Sequence, residues 1–158
     1  MQVRRVNDDD RPWIREVVIG EFASPRVVSR GQIHDDATEL DGFVVENDGR
    51  PVGCALWHEI DGDAELVVIV TTYRGAGAGT ALLDAVVDYA RTHGWTRLWL
   101  ITTNDNTDSI RLYQRAGWDW VAWHRDAVTD ARKYKPELPE RGAHDIPIRH
   151  EIELQYPL

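Results

Sequence analysis

The sequence predicts a mixed α/β fold of the α+β kind, in which an antiparallel meander feeds a parallel crossover. Three observations predict it. Residues 42–46 and 51–60 read as a strand and its return strand around Asn47-Asp48-Gly49-Arg50, a tight hairpin turn. A third run, from Glu65 to Val70, has no internal breaker and stops before helical length, which marks a buried strand. After it, Leu82, Leu83, Val86, Val87 and Ala90 fall on one helical face with Asp84, Asp88 and Arg91 opposite, and Gly94 ends the pattern. The apolar run at residues 98–103 then has to return parallel to the strand that opens at Glu65.

The remaining elements follow in order. Residues 3–6 alternate weakly, as a first strand does. Asp8, Asp9 and Asp10 precede Pro12, so acids and proline open a helix whose apolar face is Trp13, Ile14, Val17 and Val18; Ser24-Pro25 ends it. Residues 26–40 carry little pattern and read as a short second helix and loop. Asp61-Gly62-Asp63 turns the chain into the Glu65 strand. Residues 119–123 form a further strand, followed by a polar stretch with Lys133, Lys135, Pro136 and Pro139 and a loop at 142–147. Residues 149–156 alternate cleanly, which predicts a terminal strand with one wet face. Trp118, Trp120 and Trp123 read as core rather than as the lining of a pocket.

Composition narrows the class of partner. The 158 residues suffice for one domain, taken as 1–158, with a substantial core. A formal charge of −9 and a pI near 5.0 argue against nucleic acid or an anionic membrane surface and suit a cationic amine. Cys54 is the single cysteine, so no internal disulfide forms. With neither a leader peptide nor a long apolar run, a cytoplasmic protein is expected.

Between the Glu65 strand and the helix lies Arg74-Gly75-Ala76-Gly77-Ala78-Gly79-Thr80. A helix start leaves backbone N–H groups unpaired and carries about half a positive charge, so it favours an anion. Small residues let a pyrophosphate approach the backbone, and Arg74 adds a cation. A flexible turn that uses glycine only for its dihedral freedom is the plainer reading. A nucleotide P-loop needs Lys and then Ser or Thr after its last glycine, where this chain has Thr80 and Ala81. A dinucleotide fingerprint also fits poorly: its third glycine position falls on Thr80 or Leu82, and no acid closes the strand at 98–103.

Arg74-Gly75-Ala76-Gly77-Ala78-Gly79 resembles the Gln/Arg-x-x-Gly-x-Gly/Ala signature of the GNAT superfamily of acyl-CoA-dependent N-acyltransferases. A second segment, from Asn106-Thr107-Asp108-Ser109 through Leu112-Tyr113 to Gly117-Trp118, is similar to that family's Asn-x-x-Ala-x-x-Leu-Tyr-x-x-x-Gly-Phe run. Ser109 replaces the usual Ala, and Trp118 the usual Phe. The two motifs stand in the family's order, and the likeness spans roughly residues 42–118.

The resemblance implies a mixed, strongly twisted sheet with a splayed parallel strand pair and helices on both faces. It implies acetyl-CoA as cofactor, with the pantetheine arm along Val68, Ile69 and Val70, the diphosphate on residues 74–80, and Asn106 holding the cofactor or the loop. Asn106 also suits an N-cap. Acetyl transfer needs a proton removed from an amine of reference pKa about 10.4 and benefits from an acid near the departing sulfur. Tyr113 sits where the family's motif places that acid; otherwise it is a half-buried aromatic on an amphipathic helix. The base is Glu65, Glu59 or an ordered water. Glu65 shares a strand face with Val67 and Ile69 by alternation, and a solvated carboxylate at a sheet edge is its plain alternative. The six histidines show no metal-ligand spacing, and the chemistry requires no metal. The expected reaction is acetylation of a primary amine, on a small molecule or a peptide, by direct attack; a homodimer is compatible with it. A catalytically weak acyl-CoA-binding regulatory module is the alternative.

Overall fold

The computed structural model describes residues 1–158. Strand β1 (Gln2–Arg5) leads through a short 3-10 turn to helix α1 (Arg11–Phe22), and a small hairpin of β2 (Val27–Ser29) and β3 (Gln32–His34) follows. The meander is β4 (Asp41–Asn47), β5 (Arg50–Ile60) and β6 (Asp63–Thr71). Helix α2 (Ala78–Thr92) crosses over to β7 (Arg97–Thr103); α3 (Thr107–Arg115), β8 (Asp119–His124), α4 (Ala127–Ala131) and β9 (Glu151–Tyr156) complete the chain. Seven strands form one sheet in the order β1-β4-β5-β6-β7-β9-β8.

Two apolar cores lie on the two faces of this sheet. Leu82, Leu83, Val86 and Val87 of α2 and Ile110 of α3 pack on one face with Leu66, Leu98 and Leu154. Ile14 and Val18 of α1 pack on the other with Val44, Leu56 and Val68. The α1 start is fastened electrostatically. Arg4 donates to both carboxylate oxygens of Asp10 at 2.7 and 2.8 Å and to Glu46 at 2.6 Å, while Asp10 accepts from the Asn7 amide. The guanidinium holds the Asp10 carboxyl below its usual range. The acidic triplet is therefore a helix cap with one buried ion pair.

The parallel pair is the feature that matters for function. β6 and β7 stay in register only from Asp63↔Arg97 to Glu65↔Trp99. Beyond Glu65, β6 keeps its ladder to β5 up to Thr71 and β7 keeps its ladder to β9 up to Thr103. The two strands part, and the side of β6 that faces β7 loses its ladder partner. A β-bulge lies just there: Leu56 pairs with Val68 and Trp57 with Leu66, leaving Val67 as the extra residue.

Three sequence expectations are corrected. Residues 26–40 hold a hairpin and a 3-10 turn (Ala37–Glu39) in place of a short helix. Ser29 pairs with Gln32 around Arg30 and Gly31, both at positive φ, which is the two-residue turn a twisted hairpin prefers. Second, β9 has no wet face, because it inserts between β7 and β8. Glu151 and Glu153 on that face are 3 % and 4 % exposed, and Arg30, Arg97 and His124 pair with Glu153. Third, Trp118 is core, but Trp120 and Trp123 are about half exposed, since β8 is the sheet edge.

Candidate active site

The glycine-rich segment leaves the end of β6 and becomes the start of α2. Gly77 is the N-cap at φ 81°, a left-handed conformation that a side chain strains, and it provides no capping side chain. The first intrahelical bond runs from the Ala81 amide to the Gly77 carbonyl at 2.9 Å, so the amides of Ala78, Gly79 and Thr80 have no helical acceptor. A Cβ added at Gly75 or Gly77 would meet nothing within 4 Å, so both positions face open space. Gly79 differs from these two. A Cβ there would stand 3.0 Å from Leu112, so its missing side chain lets α2 pack against α3.

A cleft of about 640 Å³ opens in front of this helix start, between the ends of β6 and α3. Ile69, Val70, Gly75, Gly77 and Thr80 line it, along with Arg74, which is 81 % exposed and pairs with Asp108 at 3.5 Å. Sequence reasoning missed Arg111 and Arg115, which line the same cleft one helical turn apart on α3. Their signal was present as basic residues at i and i+4 within the second motif. Three cations thus gather at one cleft of a chain whose net charge is −9. Such a cleft fits a polyanion: unpaired amides, two bare glycines and arginines converge on it.

A second cavity of about 370 Å³ lies behind the first, in the fork between β6 and β7. Glu21, Ile69, Arg74, Asp108 and Ser109 line both spaces, so they are continuous. Tyr113 and Glu65 both line the second cavity. Tyr113 is 4 % exposed, and burial pushes its phenol well above the ordinary value, with a smaller opposing contribution from Ser109 one turn earlier. The hydroxyl therefore stays protonated well into the alkaline range and keeps a proton to donate.

Glu65 is 2 % exposed, so the solvated-carboxylate alternative is excluded. Its Oε2 lies 3.4 Å from Nε2 of His34, whose ring meets the His58 ring edge-on at 5.3 Å. Strict alternation also fails here, because the bulge at Val67 resets it. Val67 packs on the α1 side, whereas Ile69 packs against the α2 core, so the two do not share a face. Glu59 is exposed, accepts from the Gly62 amide at 2.6 Å, and lines neither space. It caps the turn into β6.

Asn106 stands at the N-cap of α3, yet its side chain makes no cap bond. Instead its amide donates to the Thr102 hydroxyl at 3.0 Å, fixing the end of β7 to the start of α3. The buried Asp105 beside it accepts from the Ala143 amide at 3.0 Å and so ties down the loop before β9. The hairpin, the segment after α4 and the start of β9 supply cavity residues that sequence reasoning missed: Ser29, Lys135 and Glu151. Ser29 and Lys135 lie in segments without a periodic signal, which fold only against the rest of the chain, and Glu151 lies on the face of β9 whose alternation pointed to solvent. Cys54 is buried in the core, and desolvation pushes its thiol up to about 12, which removes it as a nucleophile. No helix is long and apolar enough to cross a membrane.

Comparison with known proteins agrees with this geometry. The model of the acetyltransferase (GNAT) family matches residues 8–118. The chain is 42% identical over 116 residues to an uncharacterized Bacillus subtilis protein, YdhI, covering 72% of each chain. It is 34% identical over 132 residues to a second uncharacterized protein of that bacterium, YxbD, covering 83% of this chain and 82% of the relative. In fold it is similar to an IAA acetyltransferase from Bacillus cereus, with TM-score 0.76, 18% identity and 99% coverage of both chains. It is likewise similar to a GNAT family acetyltransferase from Elizabethkingia anophelis with acetyl-CoA bound, with TM-score 0.69, 17% identity and coverage of 99% and 97%. The matched residues take in the splayed strands, the glycine-led helix and the helix bearing Tyr113, and the chain belongs to the acetyltransferase (GNAT) family.

Proposed function

We propose that the protein is an N-acetyltransferase that moves an acetyl group from acetyl-CoA to a primary amine, on a small molecule or a peptide, by direct attack. One observation carries the reading: the open edge of β6 runs from a bare helix start to a cavity that holds a buried phenol and a buried carboxylate. The amides of residues 78–80, with Arg74, Arg111 and Arg115, would hold the diphosphate, Gly75 and Gly77 giving it room. The edge at Val68, Ile69 and Val70 suits an amide-bearing arm, which adds to it as a strand would. When bound, the coenzyme supplies an acyl group already activated as a thioester.

The protein's own residues then handle protons. An amine arrives as an ammonium, and Glu65 takes its proton, directly or through water; its contact with His34 supports this reading by fixing its orientation. Tyr113 holds a proton at its hydroxyl for the departing sulfur, and a backbone donor near Val70 steadies the oxygen that gains charge. Both groups are nearly buried in the cavity wall, where low local dielectric strengthens both effects.

The test is release of coenzyme A thiol from acetyl-CoA in the presence of a panel of primary amines, with coenzyme affinity measured in parallel. Amine-dependent release is expected. Tight coenzyme binding without such release would turn the reading into that of a regulatory acyl-CoA-binding module.

A further inference from the structure

The inner cavity carries charge of both signs. From the sheet, Glu65 and Glu151 line it at 2 % and 3 % exposure. Glu65 Oε2 meets His34 and Glu151 Oε1 accepts from the Arg30 amide at 3.1 Å, but the second oxygen of each carboxylate has no protein donor. The Ser29 hydroxyl lines the same space, is 2 % exposed, and has no partner at all. Burial raises the Glu151 carboxyl, and Glu65 adds to the shift, so the two carboxylates feel one another.

From the segment after α4 comes Lys135, 3 % exposed and also lining the cavity. Its ammonium forms no ion pair within 4 Å and no hydrogen bond; it stands 5.9 Å from the Phe22 ring, and burial disfavours its charge, an effect that Glu137 offsets only in part. A buried cation without a counter-ion is costly unless something else supplies the charge. The wall also carries apolar groups, among them Leu66, Val67, Leu100, Leu138 and Ile148.

We propose that the acceptor is an amine that also carries a carboxylate, held by its two ends. Glu65, Glu151 and the Ser29 hydroxyl receive the ammonium, whose three N–H donors match three unfilled acceptors. Lys135 receives the carboxylate, and the apolar wall covers the carbon skeleton between them. A phosphate would ask for more donors than one ammonium, and Arg74 lies at the outer mouth, exposed and paired with Asp108. The cavity volume of about 370 Å³ suits a molecule of amino-acid size. Lys135 and Glu151 lie beyond the residues matched by the family model, so this selectivity is set by the chain's own C-terminal segment.

This inference rests on the transferase reading, and its test separates the two. Free α- and ω-amino acids are compared with their primary amides as acceptors, and with calorimetric binding of each to the coenzyme-bound protein. The acids are expected to win by about tenfold or more, chiefly through KM and Kd, because an unpaired buried cation rejects the neutral analogue. Lys135→Met should erase that preference, chiefly by raising KM and Kd for the acids. Amides accepted as well as acids by the unaltered protein would overturn the proposal without any variant, as would a Lys135→Met loss shared equally by both. If no amine is acetylated at all, the transferase reading falls, and the binding comparison still decides whether Lys135 holds a carboxylate.

Discussion

The two connected clefts are built in opposite ways. The outer one is a backbone device: its walls are amides at the start of α2 and positions where side chains are missing, framed by arginines near the surface. The inner one is a side-chain device, in which Glu65, Tyr113, Glu151 and Lys135 are buried together although β6, α3, β9 and the segment after α4 supply them separately. A backbone device is specified by one short stretch and binds a common ligand. A side-chain device draws on the whole fold and can select an individual one.

The contrast is broken most severely at Gly77. Gly77→Glu forces a side chain into a left-handed residue and places a negative charge at the helix start, and coenzyme affinity is expected to fall at least about 100-fold. Calorimetry showing unchanged affinity would remove the outer cleft from the coenzyme. Tyr113→Phe should leave that affinity within about twofold and lower kcat by about 10–100-fold. Because burial raises the phenol, loss of its proton should not limit the unaltered rate until beyond the ordinary value of about 10. A fully active Tyr113→Phe protein would reduce the ring to a packing role.

Glu65→Gln sharpens the comparison inside the inner cleft. Its rate at neutral pH should drop about tenfold or more, and the deficit should shrink as pH approaches the amine's own pKa, where free base no longer needs the carboxylate. A deficit constant from pH 7 to about 10 would assign Glu65 to binding alone.

The smallest effect lies outside both clefts. Asp10→Asn removes a carboxylate whose folded pKa is depressed by Arg4, so the stability it contributes is present above the unfolded pKa of about 3.9 and fades as pH falls through the folded value. Denaturant melts should show a loss of about 2 kcal/mol at pH 7 that closes in acid, with coenzyme affinity unchanged. Weakened affinity would mean that the α1 start communicates with the clefts.

How far the chain could be read in advance follows the same division. The β4–β5 turn, the buried β6 and the glycine segment carry local signals, and all three stand where those signals put them. Tyr113 and Glu65 could be named, but Ile69 does not share the face of Glu65 and Val67, because a bulge at Val67 interrupts alternation, and a bulge depends on the partner strand. Gly79 looked like part of the cradle, yet its smallness serves Leu112 on a different helix. Ser29 and Lys135 lay in stretches without pattern, and the alternation of β9, which carries Glu151, promised solvent where the β2–β3 hairpin supplies Arg30.

By itself the sequence determined whatever depends on neighbours along the chain: strand and helix periodicities, the glycine-led helix start, the acidic balance and the placement of the phenol one helix beyond the crossover. Only the tertiary structure decided which buried charges meet. Whether Glu65 sits in water or beside His34, and whether Lys135 shares a cavity with Glu151, depends on distances between segments that approach one another only after folding. Desolvation and charge pairing are properties of those distances, so they have no counterpart in the order of the residues.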